Sequence, residues 1–343
     1  MALQTKERDN KIDNLRAVGT MLVILAHMSL LGVILNMRTF DVILLVMVSY
    51  MTFRMTNSGS TPYMNYVWKR IKRLVFPTYI TLVVFFSLSD VLSLALQGTH
   101  VFELNVIISS FLFLDSGIPY IWIVRIFVVI AFFAPLISKF VVSLNTGSER
   151  IRLCIISILS VIIVSGGGQK LYDFFYVENS TVSSIINSWI VYPLIYIAIT
   201  QLISIFIVLS KRYQMITSFV FCFAFVVLLI FHASFNPDDF KSPPQLFWVV
   251  YGMAISFLLY LYMPNTKCSF FEFISKNSLN IYLIHIILLM FYNKALSVLN
   301  TSSMVSTLLS LWVIRYFLIF GMSCFSILLW QRIVTHSMKK RNT

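Results

Sequence analysis

Charge is scarce in this chain. Only 11% of its 343 residues are charged, and the 13 acidic residues face 26 basic ones. No polar stretch is long enough to build a soluble domain. The four cysteines, Cys154, Cys222, Cys268 and Cys324, include no pair at metal-ligand spacing and form no disulfide framework. No metal site is therefore expected. Glycine is also sparse, at 11 residues. Its one cluster, SGGG at 165–168, lacks the Lys-Ser/Thr that completes a phosphate-binding loop, and it reads as a turn closing an apolar run. No internal repeat or low-complexity tract is present. The first apolar run follows a short charged tail without a small-residue cleavage pattern, so it is expected to be retained as a first span.

What is abundant is apolar surface: 59% of the residues are hydrophobic. A soluble domain of this size could not hide that much. Lipid is the solvent this composition fits, and runs of about 20 apolar residues cross a bilayer as helices. The expected fold is all-α and polytopic, a single membrane-embedded unit over 1–343. Ten spans are expected, over 12–35, 40–56, 74–97, 119–143, 151–167, 186–209, 215–233, 244–263, 279–298 and 304–331. The segment VFELNVIISSFLFL (101–114) is too short to cross and carries Glu103 and Asn105. It is expected to be interfacial or re-entrant.

The basic residues orient this scheme. With both termini placed in the cytoplasm, 20 of the 26 basic residues fall on inner segments. Arg38, Lys170, Lys241 and Lys294 fall on outer segments, and Arg125 and Arg315 lie inside spans. This is the bias of the positive-inside rule. Counting 101–114 as a crossing would invert every later loop and destroy it. The net charge of +13 thus reads as topology and contact with anionic membrane lipids, not as a nucleic-acid surface.

Ionisable groups at membrane depth mark function by default. The first span opens IDNLRAVGTMLVILAHMS (12–29) and carries Asp13, Arg16 and His27. As one continuous helix, it would turn about 1100° between Arg16 and His27, close to three full turns. Both side chains would then share a face about 16 Å apart. Asp13 is placed to pair with Arg16. A second basic cluster, WKRIKRLVFP (68–77), sets Arg70 and Arg73 one turn apart, where arginine's fork suits phosphate. Snorkelling to lipid headgroups explains such arginines equally simply. A cationic entrance leading to a buried base, which burial tends to keep neutral, would take an anionic, long-armed substrate. Asp41, near the outer end of the second span, is either an acceptor contact or a capping aspartate. His285 is placed about two turns from the inner face.

These stretches resemble the acyltransferase 3 family of integral membrane acyltransferases. The resemblance rests on Arg16 and His27 with ten residues between, on Arg70, Arg73 and Pro77, on PYIWIVRIFVVIAFFAPLI (119–137), on FKSPPQLFWVVYG (240–252) and on NSLNIYLIH (277–285). It implies transfer of an acyl group, commonly acetyl from acetyl-CoA or another acyl-CoA. The acceptor it implies is a hydroxyl of a bacterial surface glycan or its lipid-linked precursor, modified at the cytoplasmic (inner) membrane. It makes His27 the catalytic group and Arg16, Arg70 and Arg73 the donor-binding residues. Arg125, Asp41, Tyr282 and His285 remain candidates for oxyanion or acceptor contacts. Two departures stand out. The Ser-Gly-aromatic motif of the second span reads Ser49-Tyr50-Met51 here, and no acidic residue follows Arg125. A glycan succinyltransferase and a flippase for a lipid-linked glycan or acyl species are the alternative expectations, the latter weakened by the lack of an inverted repeat.

Overall fold

The computed structural model describes residues 9–56, 62–97, 100–178, 180–298 and 308–341. Lys6, Arg8, the start of the last expected span at 304 and the side chains of Lys339, Lys340 and Arg341 lie outside the described residues. All regular structure among the described residues is helical: α1 (Asn10–Leu25), α2 (Gly32–Arg38), α3 (Asp41–Thr56), α4 (Tyr63–Gln97), α5 (Leu104–Phe111), α6 (Trp122–Val142), α7 (Gly147–Phe175), α8 (Thr181–Ile186), α9 (Tyr192–Val208), α10 (Lys211–His232), α11 (Leu246–Tyr262), α12 (Ser269–Val298) and α13 (Trp312–Arg341). A π-helical turn over Asn187–Val191 joins α8 to α9. Eight helical segments among the described residues are long and apolar enough to cross a membrane, and α11 is a shorter apolar helix. Large apolar side chains such as Ile163, Phe219 and Ile230 stand exposed on peripheral helices, as a lipid-facing surface requires. The chain is an all-α polytopic membrane protein.

Helix α1 packs between α3 and α12, and α3 in turn lies against α6, α9 and α11. Helix α4 closes the group by packing on α6 and α12. The glycine missing from the second span is replaced by glycines on its neighbours. A Cβ on Gly19 of α1 would lie 2.8 Å from Leu45, and one on Gly252 of α11 would lie 2.3 Å from Ile43. Both glycines let α3 sit close to its partners without one of its own.

Two expectations fail. The run 12–35 is not one helix. α1 stops at Leu25, residues 26–31 turn, and α2 begins at Gly32. Ser29 takes a left-handed backbone in this turn, with φ 55°. Three charged residues in the first two turns of α1 and its 16-residue length set it apart from the long apolar helices. The SGGG cluster is not a turn either, because α7 runs through it to Phe175. Helical hydrogen bonds within a long apolar segment override the low helix propensity of glycine, since lipid offers a freed backbone no partners. Gly168 is used as a contact, with Ile195 and the carbonyl of Pro244 each 3.1 Å from where its Cβ would be. The 101–114 segment is α5, eight residues long and so about 12 Å, too short to cross.

The two ends of the bundle are stitched differently. At the end where α1 begins, here the basic end, Asn14 donates to the carbonyls of Pro264 and Thr266, both at 3.1 Å. At the far end, the loop over 236–244 locks onto the link between α2 and α3. Thr39 donates to Asp238 at 2.8 Å, and the Trp248 indole donates to the Thr39 carbonyl at 3.0 Å.

Candidate active site

A cavity of about 880 Å³ opens between α1, α3, α4, α6 and α12. Arg16, Arg70 and Arg73 line it, with Thr20, Val48 and Phe127 along its walls and Tyr282 beside them. The sequence placed those three arginines together, and the structure brings them together. They are held unequally. Arg16 donates to Thr52 and, at 3.2 Å, to Ser275. The carboxylate of Asp13 lies 4.0 Å from it and accepts from Ser275 at 2.6 Å. Arg70 donates to Ser49 at 3.3 Å, the first residue of the Ser49-Tyr50-Met51 stretch. Arg73 is exposed on α4. Its carbonyl faces a helix position where Pro77 has no N–H to give. The cavity is thus cationic at one end and apolar along its length, with hydroxyls between.

His27 does not sit on the helical face shared with Arg16. It lies in the turn just after α1, its backbone N–H bonded to the Ile24 carbonyl at 3.1 Å. The turn carries the ring past the helix end and into a nest of aromatic groups. Its centroid is 4.8 Å from that of Tyr120, edge to face, and 5.4 Å from that of His285, stacked with planes 19° apart. No hydrogen bond joins the His27 ring to any described group. His285 is fully buried. It lies 16 residues into α12, which begins at Ser269, so it is about 24 Å along the helix. The helix starts ten residues before the expected apolar span at 279, and Glu272, Lys276 and Asn277 make those first turns polar. The Nδ1 of His285 faces the Tyr282 carbonyl. A carbonyl only accepts, so Nδ1 carries the hydrogen, and Nε2 is the nitrogen left without a partner.

Tyr282 joins the two halves. Its ring lies 4.9 Å from His285, its side chain lines the arginine cavity, and its hydroxyl donates to the Tyr120 carbonyl. Tyr282 therefore stands between the arginine cavity and the two imidazoles, neither of which lines that cavity.

Of the remaining candidates, Asp41 is buried and bonds Arg38 at 2.6 Å and the Val42 N–H at 2.7 Å. It is a helix-start aspartate locked into an ion pair. Arg125 is fully buried and does find an acidic partner, ten residues upstream and not next in sequence. It donates to Asp115 at 2.9 Å and to the Phe113 carbonyl at 2.6 Å. Nη1 and Nη2 thus each spend one N–H on the turn after α5, and the buried Nε has no partner among the described groups.

Sequence reasoning missed Arg315, Tyr120 and Lys241. Arg315 donates to Ser29 at 2.9 Å and to Asn293 at 2.6 Å, and so ties the His27 turn to α12. Its position inside an apolar span was the signal available. Lys241 sits in the far-end loop 5.4 Å over the Trp122 ring. It lines a cavity of about 740 Å³ with Trp122, Arg125 and Tyr192. Burial pulls its pKa below the ordinary 10.5, opposed by Asp41 and Asp238 and reinforced by Arg38. Arg38, Lys241 and Arg315 all act electrostatically on the His27 ring, so the far side of His27 is also cationic. Among the described residues no cluster of His, Cys, Asp or Glu could hold a metal ion.

No curated protein and no solved structure gives a significant match to the chain. The family model for the acyltransferase domain, acyltransferase 3, matches residues 9–337, nearly the whole length, and the chain belongs to that family of membrane acyltransferases.

Proposed function

We propose that this membrane acyltransferase takes an acetyl group from cytoplasmic acetyl-CoA and delivers it to a hydroxyl of a surface polysaccharide or its lipid-linked precursor. The observation that carries this reading is the cavity that runs from Arg16, Arg70 and Arg73 to Tyr282, with the His27–His285 pair behind it. Three guanidinium groups at one end suit the phosphates of coenzyme A. The apolar walls beyond them suit its extended arm, which sets the thioester at Tyr282. The basic end faces the cytoplasm in this scheme, in a bacterial inner membrane with both termini inside, in line with the bias of basic residues.

The acceptor enters from the far end, past Trp122 and Lys241. A ring nitrogen of His27 takes the proton of the acceptor hydroxyl as its oxygen bonds to the thioester carbonyl carbon. The tetrahedral intermediate then collapses and the carbon–sulfur bond breaks. The departing thiolate takes the proton back from the imidazolium. His285, stacked on His27, holds the ring in place and is a positioning residue.

The test is purified protein in lipid nanodiscs with acetyl-CoA and glycan from the producing cell. Thiol release coupled to an acetyl mass gain on the glycan supports the reading. A succinyl gain from succinyl-CoA would keep the mechanism and change the donor. No thiol release with any acyl-CoA, together with movement of a lipid-linked glycan across the bilayer, would replace it with a flippase.

A further inference from the structure

A second far-end cleft stands apart from the arginine cavity and from the imidazole pair. It is a solvent-open cleft of about 1010 Å³ between α5, α7 and α8. Its lining contains hydroxyls, amides and tyrosines, with Asp115 as its one charged group. That carboxylate is already neutralised by Arg125 at 2.9 Å. The cleft therefore offers hydrogen bonds and aromatic faces without net charge.

Three features point to a ligand. Asn187 is buried to 3% exposure and lines the cleft, yet its Oδ1 has no hydrogen-bond partner. A buried amide oxygen left unpaired costs free energy unless something bonds it. The same residue opens the π-helical turn Asn187–Val191, a local distortion that recurs at functional sites. Tyr176, about half exposed, stacks on Tyr172 at 5.5 Å, and Tyr172 stacks on Tyr192 at 5.9 Å. Tyr192 lines the neighbouring cavity that holds Lys241 and Trp122, and Asp115 lines both. A row of tyrosine faces thus leads from the cleft toward the Lys241 cavity.

We propose that this cleft is a saccharide subsite, holding uncharged sugar units of the acceptor next to the unit that is acylated. Sugar rings combine apolar C–H faces with dense hydroxyls, and the cleft offers tyrosine faces beside amide and hydroxyl partners. The Asn187 Oδ1 accepts from a sugar hydroxyl, and Tyr176 lies against a ring face. The inference rests on the proposed glycan acceptor but not on acyl transfer itself.

The test measures binding of uncharged oligosaccharides released from the producing cell's surface polysaccharide, graded by length. It uses the full-length protein in detergent without any acyl donor. Wild-type affinity is expected to rise with length. Tyr176→Ala and Asn187→Leu are each expected to weaken the longer oligosaccharides about 5- to 10-fold, the loss of one or two weak contacts. Thermal melting reports folding, and Tyr176, exposed at the surface, keeps the test valid should Asn187→Leu misfold. Length-independent binding, or wild-type affinity in a folded Tyr176→Ala variant, would overturn the subsite. Length-dependent binding lost in the variants, in a protein that transfers no acyl group, would keep the subsite and remove the proposed reaction.

Discussion

His27 and His285 lie ring on ring, centroids 5.4 Å apart and planes 19° apart. No hydrogen bond joins the two rings, and the Nε2 of His285 has no partner among the described groups. The proposed mechanism therefore gives His285 a positioning role. On the proposed mechanism, His27→Ala lowers kcat about 10²- to 10⁴-fold, the usual worth of a general base. Donor binding and melting temperature stay near wild type. His285→Phe, which keeps a ring to stack on, is expected to hold kcat within a few-fold, while His285→Ala loses about tenfold. Equal losses in Phe and Ala would mean that a nitrogen of His285 takes part in the chemistry. Wild-type turnover in His27→Ala would make His27 a packing residue.

Arg315 supplies the second constraint on the same turn, through Ser29 and Asn293. Loss of a charge-assisted bond loosens the left-handed turn and, with it, the ring. Arg315→Ala is expected to lower kcat roughly tenfold or more with the donor KM unchanged. Arg315→Lys should recover only part, because one ammonium cannot reproduce the fork. A changed donor KM with unchanged kcat would place Arg315 with the donor instead.

The fold class was legible because lipid forces helices and apolar runs are long. Helix ends were less so. The break after Leu25 is invisible to hydropathy, since MSLLGVIL (28–35) is as apolar as a helix interior. The turn becomes evident only once Arg315, 286 residues away in sequence, bonds Ser29. The arginine cavity was legible because short spacings on α4 and α1 fixed those side chains at one end. The Arg125–Asp115 pair was not, since its geometry depends on how the turn after α5 folds back. Asn187 carried no sequence signal, because its open oxygen is a property of tertiary packing.

Orientation is testable apart from the chemistry. A cysteine placed at Asn236, in the far-end loop, is expected to react with an impermeant maleimide from outside intact cells. Native Cys268, exposed in the basic-end link between α11 and α12, should react only after permeabilisation. The reverse pattern would invert the proposed topology.

Lys241 gives a pH signature. Burial is the largest influence on it and pulls its pKa below 10.5. Between that lowered value and 10.5 the unfolded chain binds more protons than the folded one, so this residue's contribution to stability rises with pH through that window. Below the window, the buried cation is a constant burden. Lys241→Met is therefore expected to melt higher than wild type at neutral pH, with the gap narrowing as pH approaches 10. A gap independent of pH would mean that the ammonium is solvated and that packing alone differs.

The three arginines of the cavity should fail in different ways. Arg73 is exposed, and none of its bonds to described groups holds it, so Arg73→Ala leaves the fold intact. On the proposed reading it raises the donor KM about 10- to 150-fold, the worth of one charge-assisted phosphate contact. Arg70 has one weak partner, Ser49, so Arg70→Ala behaves similarly, with a small loss of stability. Arg16 is built in. Removing it strips Thr52 and Ser275 of a donor and leaves Asp13, itself buried, without its nearby guanidinium. Taking a guanidinium away from a buried carboxylate is destabilising, so Arg16→Ala is expected to lower the melting temperature as well as raise the donor KM. Adding Asp13→Asn should restore part of the stability and none of the donor affinity, because it removes a buried charge without returning a phosphate contact. Salt separates these effects further. If exposed Arg73 attracts the donor through water, the wild-type donor KM climbs with ionic strength, and the climb flattens in Arg73→Ala. A donor KM unchanged in all three alanine variants would leave these arginines as anchors of topology, and acyl-CoA would then need another entrance.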